Sequence, residues 1–285
     1  MKILFVLLQY CLPHHLLSRS IGFFANSNIG LIKNPLIKLF IKMFKADMSE
    51  AQFEQANQYN NFNDFFVRAL KTTARSLCGD SDAIACPADG CVSQIGDIDG
   101  GHLIQAKGKE FSITALLGGD EYLSQNFSGG KFATVYLSPK DYHRVHMPLD
   151  GQLQTMVYVP GSLFSVNQTT TELVDQLFAR NERVVNIFDT NAGPMAVVMI
   201  GAMIVASIET VWAGQITPYK KIIRTTHFPG ESDEVNLNKG DEMGRFKLGS
   251  TVIILFGPDM AEWEQKLQAG STVKMGQRIG TLING

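Results

Sequence analysis

The chain has 285 residues, 45% of them hydrophobic and 18% charged, which is enough to bury a sizeable core in one main domain with an appendage. A formal net charge of -2 excludes the strongly basic surface of a nucleic-acid binder, so no nucleic-acid partner is expected. Four cysteines (Cys11, Cys78, Cys86, Cys91) make no Cys-x-x-Cys pair and no zinc spacing; a chain of this size needs no disulfide framework, and reduced thiols in a cytosolic setting are expected.

The charge is unevenly spread. Residues 1–45 carry six basic side chains (Lys2, Arg19, Lys33, Lys38, Lys42, Lys45) and no acid, which leaves 19 basic against 27 acidic residues, a net -8, for the rest. A basic, apolar amino end on an acidic body suggests a surface that meets anionic lipid. The first apolar run, Ile3 to Leu8, is far shorter than the ~18 residues of a spanning helix. Nor does it read as a secretion signal, because Leu8-Gln-Tyr-Cys11 puts bulky residues where a cleavage site wants small ones. Between Leu31 and Lys45, Ile32, Leu36, Leu39, Phe40 and Met43 recur at helical spacing while Lys38, Lys42 and Lys45 follow a second track, which predicts a basic amphipathic helix. Such a helix more commonly caps the protein's own core. The lack of any acid through residue 45 turns the reading towards a membrane surface, where each basic residue contributes about 1 kcal/mol. Asn61-Phe-Asn-Asp-Phe-Phe-Val-Arg-Ala-Leu70 predicts one more short helix.

From Ala83 onward, short β-branched and apolar runs alternate with glycine-rich turns. Strands are predicted at Cys91 to Ile98, His102 to Ala106, Phe132 to Leu137, Leu153 to Val159 and Val184 to Phe188, with Met195 to Ile208 as one or two core strands broken near Gly201. Ser112 to Leu117 and Glu172 to Arg180 are the predicted helices. The expected fold is α+β, with amino-terminal helices over residues 1–70 on a mostly antiparallel β core of sandwich- or barrel-like short strands over 71–285.

Reactive groups cluster in three places: Pro87-Ala-Asp-Gly90, Leu137-Ser-Pro-Lys-Asp-Tyr-His-Arg-Val-His-Met-Pro148 and Leu248-Gly-Ser-Thr251. Each alone is weak. Asp89-Gly90 is first a turn signal, His143 and His146 lack a third metal ligand, and Ser250 reads as a strand-edge hydroxyl. Together they supply what a serine nucleophile requires, an imidazole to take its proton and a carboxylate to orient the ring. Gly249 adds a carbonyl with no Cβ to shield it from attack.

With these blocks in place the sequence resembles the pyruvoyl-dependent phosphatidylserine decarboxylases of the bacterial, membrane-associated type. Leu248-Gly249-Ser250-Thr251 matches the family's self-processing motif, and Asp89 and His146 match its charge-relay partners. Similarity continues through Asn61 to Arg68, Phe164-Ser-Val-Asn167, Phe178 to Val184, Ser207 to Gly214 and Glu242 to Lys247. The resemblance implies that Ser250, with His146 as base and Asp89 as orienter, attacks the Gly249 carbonyl to form an ester. β-Elimination and hydrolysis then release ammonia, leaving a β chain of residues 1–249 and an α chain of 250–285 that begins with a pyruvoyl group. It implies further that this group condenses with the amine of phosphatidylserine and takes up the electrons released with carbon dioxide, giving phosphatidylethanolamine, with a role for His143 in that second reaction. No metal is implied. The expected partners are the lipid substrate, an anionic membrane surface and the paired α and β chains, with a face offered for a homodimer. The expected location is peripheral, on the cytoplasmic side of the bacterial plasma membrane.

Three other readings stand beside it. A hydrolase acting on lipid esters would use the same Ser, His and Asp without self-cleavage, although Lys247-Leu-Gly-Ser-Thr lacks the Gly-x-Ser-x-Gly elbow. A lipoyl-type carrier would use Lys274 within Ser271 to Gly280, which otherwise reads as a hairpin with a solvated lysine. A membrane-recruited scaffold leaves the three reactive blocks unexplained.

Overall fold

A computed structural model describes residues 2–203, 207–217, 221–230, 234–247 and 250–283, with Arg19 described by its backbone. The amino end forms α1 (Lys2–Cys11), α2 (His14–Ala25) and α3 (Gly30–Phe44), followed by the short α4 (Phe62–Phe66). Among the described residues no helix is long and apolar enough to cross a membrane. Helix α4 is shorter than the sequence predicts. Asn61 caps it through Asp64 N, and the chain then leaves the helix so that Leu70 can bridge Ala51. In α3 the face turned to the protein is Lys33, Ile37 and Phe40, which packs with Phe62, Phe65 and Phe66. Leu31, Ile32, Leu39 and Met43 remain exposed, so the predicted apolar stripe is split, with Phe40 on the inward side.

The rest of the chain is built from β1 (Ala83–Ala85), β2 (Gly90–Asp97), β3 (His102–Ala106), β4 (Lys109–Ser112), α5 (Ile113–Leu116), α6 (Glu121–Gln125), β5 (Lys131–Leu137), β6 (Arg144–His146) and β7 (Gly151–Val159). It continues with α7 (Gln168–Leu173), α8 (Leu177–Arg180), β8 (Arg183–Thr190), β9 (Gly193–Gly201), β10 (Ser207–Thr210), β11 (Gly214–Gln215), β12 (Arg224–His227) and β13 (Asn236–Leu237). The last strands are β14 (Glu242–Lys247), β15 (Ser250–Phe256), β16 (Ala261–Trp263), β17 (Thr272–Val273) and β18 (Arg278–Leu282). The α+β arrangement and the antiparallel core are as expected.

Nine strands form one sheet in the order β12-β7-β8-β9-β15-β5-β2-β17, with β13 also on β7. A second sheet runs β11-β10-β14-β6, and a third β1-β18-β16. Among the described residues no pairing closes the large sheet into a barrel. Alternation decides which layer each side chain joins. On β15, Val252, Ile254 and Phe256 enter the core shared with Ile208, Phe246 and Val145 of the second sheet. Ile253 and Leu255 enter the other core, covered by Phe111, Ile113, Leu116 and Phe178. With both faces covered, β15 is apolar at nearly every position, as a doubly buried strand must be.

Two expectations are corrected. Glu172 to Arg180 is not one helix, because the buried Gln105 amide donates to Thr171 O and Val174 O while its oxygen accepts from Leu177 N. That clamp ends α7 and starts α8 through Gln176, at φ 54°. Ser271 to Gly280 is not a hairpin either: β17 pairs with β2 and β18 with β1 and β16, in different sheets. Lys274 forms an ion pair with Glu50 at 3.1 Å.

Candidate active site

The chain changes sheets between β14 and β15. Lys247 is the last residue paired in the second sheet, opposite Ser207, and Ser250 is the first in the large sheet, between Leu137 and Gly201. Leu248 and Gly249, including the Gly249 carbonyl singled out from sequence, lie outside the described residues. Ser250 is fully buried, and among the described residues its Oγ has no hydrogen-bond partner. Leaving a buried hydroxyl unpaired costs about 1–3 kcal/mol, so its place at this crossing is not explained by stability.

Asp89 reaches the same end of the large sheet from the bend before β2, whose Cys91 pairs with Tyr136, next to the Leu137 that faces Ser250. Gly90 makes this approach possible, since a Cβ there would lie 2.3 Å from Tyr136 O. The Asp89 carboxylate is nearly buried and is gripped by Arg75, whose Nε donates to Oδ1 at 2.8 Å and whose Nη2 pairs with Oδ2. Met275 N also donates to Oδ1, at 2.9 Å. Arg75 in turn pairs with Glu50 at 2.7 Å and, together with Lys274, holds the Glu50 carboxyl down to about 2.

His146 lies on β6, opposite Glu242, with its backbone N–H donating to Pro87 O at 2.8 Å. Its Nδ1 is 2.8 Å from Gly240 O. A carbonyl only accepts, so Nδ1 carries the proton and Nε2 the lone pair, which Tyr142 engages through its hydroxyl at 3.0 Å. Burial lowers the ring's pKa against the opposing pull of the Gly240 bond, so the imidazole is neutral at neutral pH. Burial also pushes the Tyr142 phenol up to about 12, which keeps it a donor.

His143 is completely buried, stacked on Phe66 with ring centroids 4.1 Å apart. Its Nε2 donates to Ser138 O at 3.1 Å, one residue beyond the Leu137 that pairs with Ser250, and its carbonyl accepts from Phe246 N at 3.0 Å. Nδ1 has no partner among the described residues. Burial, with Arg68 adding to it, takes this imidazole down to about 3.

The fold therefore brings Asp89, His143, His146 and Ser250 to one end of the sandwich without joining their side chains into one hydrogen-bonded chain. The His146 ring is held by Gly240 and Tyr142, and Asp89 acts on it through its charge. Sequence reasoning missed Tyr142, Gly240 and Arg75. Tyr142 lay within the quoted histidine block, four residues before His146. Nothing in the spacing signals Arg75, whose partner Asp89 is 14 residues away across a turn.

The family model described as phosphatidylserine decarboxylase matches residues 62–281, and a second, described as PSD, matches residues 4–45. The chain belongs to the phosphatidylserine decarboxylase family. It is 62% identical over 278 residues to the phosphatidylserine decarboxylase proenzyme of Ectopseudomonas mendocina, covering 97% of each chain. With the proenzyme of the same name from Pseudomonas fluorescens it shares 59% over 280 residues, 98% of this chain and 97% of the relative. With that of Pseudomonas putida it shares 58% over 281 residues, 98% of each.

Proposed function

We propose that this chain is an enzyme proenzyme that cuts itself between Gly249 and Ser250 and then decarboxylates phosphatidylserine to phosphatidylethanolamine, in phospholipid biosynthesis. The observation that carries the reading is near-full-length identity of 58–62% to proenzymes of that name, together with a buried, unpartnered Ser250 at the crossing between sheets. Neither the matched family models nor the three relatives named above carry the name of a lipid-ester hydrolase.

Ser250 Oγ is the nucleophile towards the Gly249 carbonyl, and His146 takes its proton at Nε2. Tyr142 occupies that lone pair in the uncut chain and must release it, or pass the proton along, when Ser250 is activated. Asp89, held in place by Arg75 and Met275 N, stabilises the imidazolium through space. A pyruvoyl group made from Ser250 supplies the electron sink for decarboxylation. Ser250 fits such a group: among the described residues its oxygen has no hydrogen bond to lose, and β15 fixes its backbone on both sides. His143 handles a proton in the second reaction at Nδ1, the one ring nitrogen left free.

After cleavage the α chain stays in place, since all seven residues of β15 remain paired with β5 and β9 of the β chain. The helices of residues 1–70 rest on the cytoplasmic side of the membrane through their exposed apolar side chains and the exposed Lys2, Lys38, Lys42 and Lys45, while 71–285 carries the chemistry. Intact mass of the purified protein, with carbon dioxide release from phosphatidylserine vesicles, tests the reading. Two fragments, the smaller with a ketone at its amino end, and release of carbon dioxide are expected. A single 31.4 kDa chain with full activity overturns it.

A further inference from the structure

The two histidines of the site are held by different parts of the chain. The His146 ring is bound by Gly240 and Tyr142, and its backbone N–H by Pro87 O. None of these residues belongs to the amino-terminal region. The His143 ring instead lies against Phe66, the last residue of α4, which does.

The backbone that carries His143 is fixed from several sides. Ser138 O accepts from Asp141 N at 2.9 Å, Ser138 N donates to Asp141 Oδ2 at 2.7 Å, and His143 O accepts from Phe246 N at 3.0 Å. Arg68, which follows α4 and is 3% exposed, pins the middle of this turn by donating from Nη2 to Lys140 O at 2.9 Å. Arg144 Nε returns the tie by donating to Val67 O at 2.9 Å. The plane of the imidazole is a separate matter. Among the described residues the ring makes one hydrogen bond, from Nε2 to Ser138 O, and a single bond leaves a ring free to swing about its own line. Phe66 removes that freedom by stacking on it, with centroids 4.1 Å apart and the planes 29° from parallel. Phe66 is wedged in turn by Phe40 of α3, at 5.7 Å, and by Phe62, at 6.2 Å. With Phe66 and His143 both fully buried, Nδ1 is aimed in one direction.

We propose that Phe66 is a positioning residue for decarboxylation and not for self-cleavage, holding the His143 ring so that Nδ1 meets the proton it handles. The inference rests on the role given to His143 in the proposed function. It adds that the amino-terminal region supplies part of the active site, besides a surface for lipid. Proton transfer needs donor and acceptor about 3 Å apart on a defined line of approach. A misplacement of about 1 Å can cost roughly 100-fold, and an imidazole turned out of its plane moves Nδ1 by a comparable distance. Self-cleavage is spared because His146 keeps its own bonds to Gly240 and Tyr142, neither of which touches Phe66.

The test uses the full chain and sets its two reactions against each other. Phe66→Met keeps an apolar side chain of similar reach and removes the flat face. Phe62→Met is the control, in the same helix and the same cluster, with a ring that packs on Phe40, Phe65 and Phe66. Self-cleavage is followed by denaturing gel during cell-free synthesis, and the ketone of the cut protein is titrated with a hydrazine. Carbon dioxide release is then measured on phosphatidylserine in mixed detergent micelles, per ketone. Phe66→Met should cut with a half-time within about twofold of the parent, while kcat falls about tenfold or more and KM changes by less than about twofold. Phe62→Met should keep kcat within about twofold. Loss of cutting and of kcat together in Phe66→Met, an unchanged kcat, or an equal loss of kcat in Phe62→Met overturns the proposal. His143→Ala separates it from the reading beneath it. An active His143 variant removes the role on which the inference rests, whereas an inactive one beside a fully active Phe66→Met overturns the inference alone.

Discussion

Strand β15 and helices α1 to α3 are both rich in large apolar side chains and treat them in opposite ways. Every residue of β15 from Ser250 to Phe256 is buried, paired on both sides and covered on both faces. On the helices Val6, Ile37 and Phe40 turn inward, while Phe23 is 78% exposed and Leu31 90%. Apolar area left in water forgoes about 25 cal/mol per Å² of stabilisation, and soluble monomers rarely present a large contiguous patch of it. The strand is completed by the chain itself, whereas the helices keep much of their apolar area uncovered, and the proposed function places lipid there.

The largest effect should come at the first residue of the strand. Ser250→Ala leaves the packing almost intact and removes the nucleophile, so a denaturing gel should show one uncut chain and no carbon dioxide release; two fragments from this variant refute the assigned chemistry. Next in size is Ile254→Ala, deep in the core between the sheets, which should lower unfolding free energy by about 2–5 kcal/mol in denaturant titration. Leu31→Ala on the helix should change it by less than about 0.5 kcal/mol. Equal losses at the two positions would erase the contrast between the regions.

Much of this contrast was legible in the sequence, and the rest had physical reasons to be hidden. The continuous apolar run from Met195 announces a core strand, and β9 follows it as far as Gly201 because burial on two faces demands apolar side chains nearly everywhere. The basic residues of 1–45 showed equally well. The inward face of α3 was misjudged, since periodicity defines a stripe but not what packs against it, and Phe40 was drawn in by Phe62, Phe65 and Phe66. The split of 172–180 depends on the Gln105 amide, a partner about 70 positions away that local spacing cannot show. At the site, the resemblance named Asp89, His146 and Ser250, but the hydrogen bonds that set the His146 tautomer come from Gly240 and Tyr142, which only the fold brings together.

A smaller effect separates the two regions by pH. His143 folds with its pKa held at about 3 against 6.5 ordinarily, so the unfolded chain binds a proton that the folded one refuses between those values. Stability from this residue is full above about pH 6.5 and is lost as pH falls towards 3. Glu50, held at about 2 by Arg75 and Lys274 against 4.5, loses its contribution lower down, as pH falls from 4.5 to about 2. Chemical denaturation midpoints at pH 7, 5.5 and 4 should therefore decline in turn, and His143→Gln should flatten the upper part of that decline. An unchanged slope between pH 7 and 5.5 in that variant assigns the upper loss to another group.

The smallest effect per residue is expected at the helices, and it is read on vesicles rather than on stability. Replacing Phe23 or Leu31 by Ala removes apolar area that contributes nothing within the folded chain, so melting behaviour should hold while partition onto anionic vesicles drops several-fold, roughly 1 kcal/mol. Lys38→Gln should lower partition by a similar factor at low salt and by less at high salt, because a charge near anionic lipid is screened beyond about 10 Å at 0.1 M. The two substitutions thus differ in one variable: the apolar loss is indifferent to salt and the basic loss is not. Salt-independent behaviour in both would place the lysine's contribution in its carbon stem, and unchanged partition in both would leave the exposed faces of α2 and α3 to a protein partner instead of a bilayer.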